Sequence, residues 1–296
     1  MWGLELDKGK TLSMTNRNSA QSLGSQSPTA IIRTLDLTRS FGALVAVDQL
    51  DLEVFQGEVF GLLGRNGAGK STLIKMLTTL LPPSSGTGQV AGFDINVQAA
   101  EVRRVIGYVP QALSADGDLT GYENLLVFAR LYDVPRRDRS RRIGDALALM
   151  GLTDAAHRLV KEYSGGMIRR LEIAQSTLHW PTVLFLDEPT VGLDPVARRD
   201  VWRMIGQLRQ RYGSTIVLTT HYLEEAAELC DRIGIMNCGR LIVCGTVGEL
   251  EARAGVGKTL DEVFAKYAGA GADSELAVGT AYSATSLTRR AADRTG

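Results

Sequence analysis

Three short runs in this chain lack the in-out alternation of a half-solvated strand. They are residues 59–63 (VFGLL), 183–186 (VLFL) and 215–219 (TIVLT). Continuous runs of this length fit strands buried on both faces, as in a parallel sheet covered by helices. Between them the apolar spacing becomes helical. Leu73, Ile74, Met76, Leu77 and Leu80 predict a helix that stops before Pro82-Pro83, which cannot continue it. Further helical patterns cover 122–132 and 138–150, with Gly151 as a stop, and about 165–178, with Ser164 as the cap. Asp194-Pro195 is a sound helix start, an N-cap followed by an N1 proline, and positions 201, 204, 205 and 208 form that helix's inner face.

Shorter signals fill in the rest. Residues 31–38 and 50–55 predict strands, the second ending at a Gln56-Gly57 turn; 84–88 reads as a loop and 89–93 as a short strand. Residues 105–109 (VIGYV) predict a strand ending at Pro110-Gln111, and 233–236 with 241–244 predict a hairpin around 237–240. Thr246 with Glu249, and Thr259 with Glu262, each fit a capping box. Residues 1–28 are polar and read as a disordered leader; 269–296 lack periodicity and read as a flexible tail. Strands alternating with helices place the core in the α/β class, and the helical stretch at about 112–178 interrupts that alternation as an inserted subdomain.

Composition narrows the partners. Of 296 residues, 44% are hydrophobic, enough for a real core, and 33 Lys plus Arg balance 33 Asp plus Glu, so no basic footprint points to nucleic acid. No stretch reaches the roughly 18 apolar residues of a membrane span, and the N-terminus lacks a signal pattern. A cytosolic protein is expected; work at a membrane requires another chain to supply the spans. Cys230, Cys238 and Cys244 show no C-x-x-C spacing and read as reduced thiols. The run 136–142 (RRDRSRR) reads as a solvated helix face rather than a phosphate or lipid patch, because Asp138 and Asp145 interrupt it.

The chemistry centres on residues 64–72, GRNGAGKST, which lie between the first apolar run and the first helical one. This is the P-loop pattern in its strand–loop–helix context. Gly64, Gly67 and Gly69 let backbone N–H groups approach a phosphate, Lys70 reaches the β and γ phosphates, and Ser71 ligates Mg²⁺; Arg65, Asn66, Ala68 and Thr72 complete the nucleoside-triphosphate-binding loop. Asp187, the first polar residue after VLFL, is placed to share the metal, and Glu188 to polarise the attacking water. His221, after the third buried strand, is placed to hydrogen-bond a γ phosphate. Ser164, Gly165 and Gly166 open a helix, either as a second anion site with free donors or simply as an N-capped helix after a loop.

These motifs, in this order, resemble the ATP-binding-cassette (ABC) ATPases over about residues 29–252. Gln111 in GYVPQ corresponds to the Q-loop glutamine, SGGM (164–167) to the signature, VLFLDEP to the Walker B strand, GLDP (192–195) with Asp194 to the D-loop, and His221 in TTHYLEEA to the switch histidine. Phe41 in SFGALVAV matches the aromatic that stacks on adenine. Tyr163, Met167 and Phe41 replace the commoner leucine, glutamine and tyrosine while keeping the required chemistry.

The resemblance implies a P-loop NTPase core with a small antiparallel β subdomain and the inserted helices, followed by a short helical extension at 253–268. It implies ATP and Mg²⁺, with Gln111 sensing metal and water. It also implies a head-to-tail homodimer in which Ser164, Gly165 and Gly166 grip the partner's nucleotide. DLTGYENL, YSGGM, DEPTVGLDP and KTLDEVFAKYAG are similar to the ATP-binding subunits of ABC-2 exporters of the daunorubicin-resistance type. That implies an ATPase at the cytoplasmic face, serving a separate integral-membrane permease. A soluble ABC ATPase acting on ribosomes or DNA is the alternative; one P-loop, and only about 90 residues between it and the signature, weigh against it. A P-loop kinase or GTPase leaves Ser164 and His221 unexplained.

Overall fold

The computed structural model describes residues 29–269; the leader and all of the expected tail after Gly269 lie outside the described residues. The chain first forms an antiparallel ribbon, β1 (Ala30–Phe41) and β2 (Leu44–Phe55), then β3 (Val59–Gly64) and α1 (Lys70–Leu77). Next come β4 (Ser85–Val90), β5 (Phe93–Asp94), α2 (Ala99–Val105) and β6 (Ile106–Val109). Three helices follow: α3 (Gly121–Leu131), α4 (Arg136–Leu149) and α5 (Gly165–Thr177). Strand and helix then alternate through β7 (Val183–Asp187), α6 (Pro195–Tyr212), β8 (Thr215–Thr220) and α7 (Leu223–Leu229). The hairpin β9 (Arg232–Asn237) and β10 (Arg240–Gly245) precedes α8 (Val247–Ala254) and α9 (Leu260–Gly269).

Two sheets result. The six-stranded sheet has the order β10-β9-β3-β8-β7-β6, parallel except for the β9–β10 pair, and the antiparallel sheet has the order β2-β1-β4-β5. Strand periodicity sorts side chains to two cores. Phe60, Leu62, Val183, Phe185 and Val217 face the antiparallel sheet and α1, while Leu184, Leu186, Ile216 and Leu218 face the helical side. This double burial is why β3, β7 and β8 are unbroken apolar runs. Each such side chain contributes roughly 1.5–3 kcal/mol of burial free energy.

Several elements differ from their sequence signals. The segment expected as a loop at 84–88 is the first part of β4, paired with β1 through Thr87↔Leu35 and Gly88↔Thr34. Its glycines and serine hid it, and the partner strand supplies the order. The first helix ends at Leu77, short of Leu80, which is 58% exposed. Thr78 donates its hydroxyl to Ile74 O at 2.8 Å, Thr79 turns left-handed (φ 62°), and Leu80 and Leu81 both donate back to Lys75 O. That closes the helix five residues before the prolines could act. Helices α2 and α7, each of seven residues, are too short for periodicity to reveal.

The Thr246–Glu249 capping box is present in both directions. At Thr259, the backbone N–H donates to Glu262 Oε2 at 3.0 Å. In α4, Arg141 pairs with Asp138 and Asp145, while Arg139 and Arg142 turn inward onto the carbonyls of Val134 and Leu178. The arginine run is thus largely a solvated face that also ties two loops down.

Candidate functional site

The site forms where the C-terminal ends of three adjacent parallel strands, β3, β8 and β7, meet. From β3 the loop turns at Gly67 (φ +85°) and Gly69 (φ +100°), a conformation that L side chains rarely adopt. A Cβ at Gly69 would run into the carbonyl oxygen of Ala46 on β2, so the antiparallel sheet presses directly on the loop. Gly69 is the N-cap of α1 and offers no side-chain hydrogen bond; no acidic residue lies in the first turn. The starts of α3, α5, α6 and α8 are closed by Thr120, Ser164, Asp194 and Thr246, whereas α2, α4 and α7, like α1, carry no side-chain cap; α1 differs in opening directly from the glycine-turned loop. The first N–H groups of α1 therefore point their dipole end at the loop without a side-chain acceptor, as an anion site requires.

Lys70 is 4% exposed and donates Nζ to Gly64 O at 2.7 Å and Arg65 O at 3.1 Å; Glu188 Oε1 lies 3.6 Å away. Burial pushes the ammonium below its ordinary value, and the Glu188 and Asp187 carboxylates pull it back up. Ser71 donates its hydroxyl to Asp187 Oδ1 at 3.0 Å, across 116 residues of sequence. Glu188 has a positive φ of 50°, and its carboxylate meets two side chains from other elements. Gln111 Nε2 donates to Oε2 at 3.2 Å, and His221 Nδ1 lies 3.4 Å from the same oxygen, without a hydrogen bond among the described residues. Beside them, burial and the Asp187 charge push the Tyr108 hydroxyl up to about 12, so it stays protonated.

One polar network therefore gathers Gly64, Lys70, Ser71, Gln111, Asp187, Glu188 and His221. Arg65, Asn66, Gly67, Ala68, Gly69 and Thr72 lie on the same loop and helix start. Among the described residues, no hydrogen bond or ion pair joins Phe41, Ser164, Gly165, Gly166 or Asp194 to it. Phe41 lies at the turn end of the β1–β2 ribbon, 47% exposed, with the Arg39 guanidinium 4.7 Å over its ring. Ser164 is exposed and caps α5, accepting from Met167 N at 3.3 Å. A Cβ on Gly166 would sit 2.9 Å from Ala197 Cβ in α6, whose start Asp194 caps by accepting from Val196 N and Ala197 N. The two helix starts thus pack against each other and away from the P-loop network.

One network member escaped the sequence reading. Thr219 is fully buried, donates its hydroxyl to Asp187 Oδ1 at 2.6 Å and accepts from Glu188 N at 2.9 Å. It faces Asp187 in the parallel register of β7 and β8. A threonine at the end of an apolar strand looks like any β-branched residue until that pairing is known.

A glycine-turned loop feeding an uncapped helix, beside a strand-end Asp–Glu pair, defines a P-loop nucleotide-binding domain. Residues 47–191 match the ABC transporter family. The chain is 47% identical over 228 residues to the daunorubicin/doxorubicin resistance ATP-binding protein DrrA of Streptomyces peucetius, covering 77% of this chain and 69% of that protein. It is 38% identical to the linearmycin resistance ATP-binding protein LnrL of Bacillus subtilis, covering 76% and 72% respectively. A solved ATP-binding subunit of an ABC transporter superposes with a TM-score of 0.73 at 28% identity, over 80% of this chain and 99% of that one. The chain belongs to the ABC transporter family, as one of its ATP-binding proteins. Among the described residues, no helix is long and apolar enough to cross a membrane.

Proposed function

We propose that this chain is the ATP-hydrolysing subunit of an ABC export complex, working as a homodimer on the cytoplasmic face of a membrane with a separate multi-span permease. The observation that carries the reading is Glu188, bonded by Gln111 with His221 Nδ1 3.4 Å away, beside a buried Lys70 and the uncapped start of α1. Its likeness to resistance proteins for anthracyclines and linearmycin supports a drug, antibiotic or lipid-like cargo.

The residues have the chemistry for both ligands. The N–H groups opening α1 and the Lys70 ammonium are donors for phosphate oxygens, and Lys70 exchanges its bonds to Gly64 O and Arg65 O for them. The Ser71 hydroxyl, the Asp187 carboxylate and the Gln111 amide form a set of hard oxygen donors that suits Mg²⁺. A divalent ion held by these residues would supply positive charge to offset that of the phosphates. Glu188 orients and deprotonates the attacking water, Gln111 fixes the Glu188 carboxylate, and His221 donates toward the γ phosphate. Phe41 stacks on the adenine. Ser164, Gly165 and Gly166 reach the partner's nucleotide, with Asp194 at the same dimer seam. We assign this machinery to residues 29–252, with 112–178 as the permease-facing helical subdomain and 253–268 as an extension.

The test is a tagged pull-down from detergent-solubilised membranes, with mass spectrometry of the co-purifying chains. A stoichiometric protein with about six spanning segments is the expected result. A soluble dimer alone, or one carrying ribosomal proteins or DNA, overturns the transport assignment.

A further inference from the structure

Gln111 belongs to a segment without regular structure of its own. Among the described residues, no backbone-to-backbone hydrogen bond outside the helices and strands starts or ends at residues 111–115. Among the described residues, the hydrogen bonds that fix its backbone come from one pair of side chains on α5. Arg169, 2% exposed, donates Nη1 to Pro110 O at 2.7 Å and Nη2 to Gln111 O at 2.6 Å. Nη1 also donates to Glu172 Oε2 at 3.0 Å, one helical turn on. Glu172, 3% exposed, accepts on Oε1 from Ser114 N and, at 3.2 Å, from the Ser114 hydroxyl. Two carbonyls and one amide of the loop are therefore fixed by a single buried ion pair, and from that loop Gln111 reaches Glu188.

Stability alone is a weak reason for such a pair, since apolar residues of similar volume often serve a buried site as well or better. Geometry is a stronger one. The guanidinium fork bonds two successive carbonyls and a carboxylate at once, which the single ammonium of a lysine does not reproduce. Burial works against the charged guanidinium, and the Glu172 and Asp187 carboxylates oppose that effect. The same helix opens at Ser164, so the loop is tied to the signature as well as to the hydrolytic carboxylate.

We propose that the Arg169–Glu172 pair is a positioning device for hydrolysis, fixing residues 110–114 so that Gln111 stays on the Glu188 carboxylate and moves only with α5. The inference rests on the ATPase reading above. Among the described residues, neither side chain makes a hydrogen bond or ion pair to the phosphate loop, so the pair acts through Gln111.

The test uses the full chain in three forms, namely wild type, Arg169→Lys, and the doubly apolar Arg169→Met/Glu172→Leu. The first variant keeps the charge opposite Glu172. The second leaves no buried charge unpaired, so one variant remains informative if the other fails to fold. Steady-state ATP hydrolysis, affinity for a fluorescent ATP analogue and amide exchange over residues 110–116 are measured. The expected result is a kcat lowered about ten- to hundredfold, the scale of a small misplacement at a reacting centre. Nucleotide affinity stays within about twofold, and exchange accelerates in the 110–116 segment but not in β3 or α1. Wild-type kcat in both variants, or affinity falling in step with kcat, overturns the proposal. Wild-type turnover checks the ATPase reading separately, and amide exchange reports the clamp whether or not the chain turns over.

Discussion

Replacing Thr219 by valine removes one hydroxyl from the interior while keeping the side chain's shape. Two bonds go with it: the 2.6 Å donation to Asp187 Oδ1 and the 2.9 Å acceptance from Glu188 N. A hydrogen bond to a carboxylate contributes about 1.5–3 kcal/mol, and an orphaned buried N–H costs about 1–3 kcal/mol. The two losses share an atom and are not additive, which puts the net near roughly 3 kcal/mol. For a domain of this size that corresponds to a fall of about 6–12 °C in the thermal midpoint.

The Glu188 N–H is the more consequential loss, because Glu188 sits at φ 50°, whereas Asp187 still accepts from the Ser71 hydroxyl at 3.0 Å. Turnover should fall about tenfold, equivalent to roughly 1.4 kcal/mol on the barrier. Thr219→Ser, which restores the hydroxyl, should recover most of both losses. Calorimetry and a coupled-enzyme ATPase assay on the three proteins decide it. A valine variant with unchanged midpoint and rate would show that the hydroxyl does not organise the Asp–Glu pair.

Other outcomes follow from the same geometry. Glu188→Gln should bind ATP as tightly as wild type while losing about 10²–10⁴-fold in single-turnover hydrolysis, because Lys70 keeps its bonds to the Gly64 and Arg65 carbonyls while the general base is gone; equal hydrolysis refutes the role. Ser164→Arg fills the exposed start of α5 and should abolish ATP-driven dimerisation in light scattering while each protomer still binds nucleotide. A variant that dimerises normally refutes the bridging role. Burial lifts the Glu58 carboxyl above 4.5, with the Phe55 N–H and Arg232 opposing. The folded state thus holds that proton more tightly than the unfolded chain, so this contribution is complete below pH 4.5 and is lost as pH rises through the raised folded value. Thermal midpoints across that window should rise for Glu58→Gln relative to wild type; a relative fall contradicts the sign.

What could be read in advance was whatever a local pattern encodes. The runs VFGLL, VLFL and TIVLT became β3, β7 and β8 because burial on both faces leaves no polar position to confuse the signal. Asp194-Pro195 opened α6 because cap and N1 proline act within one turn. Pairing across the chain was not legible. Ser85–Val90 is a strand only because β1 lies beside it, and Thr219 matters only because register sets it opposite Asp187. Arg169 sits in a helix where arginine ordinarily faces water, and nothing local announces that its fork is buried against residues 110 and 111. The loop lysine and the Asp–Glu pair were recognisable by type and spacing, whereas the bonds joining them required coordinates.

The order of strands in the larger sheet also governs when the site comes into being. β3 is flanked by β8 and β9, elements that follow it by well over a hundred residues, and the bond from Ser71 to Asp187 closes a loop of comparable length. Such distant parallel pairings form slowly, because chain entropy is lost long before the contacts compensate for it. A nascent chain that has exposed its phosphate loop still lacks Asp187, Glu188 and His221 until nearly the whole sheet has been synthesised. On the proposed reading, productive nucleotide turnover would then be a property of the finished sheet and not of the phosphate loop alone.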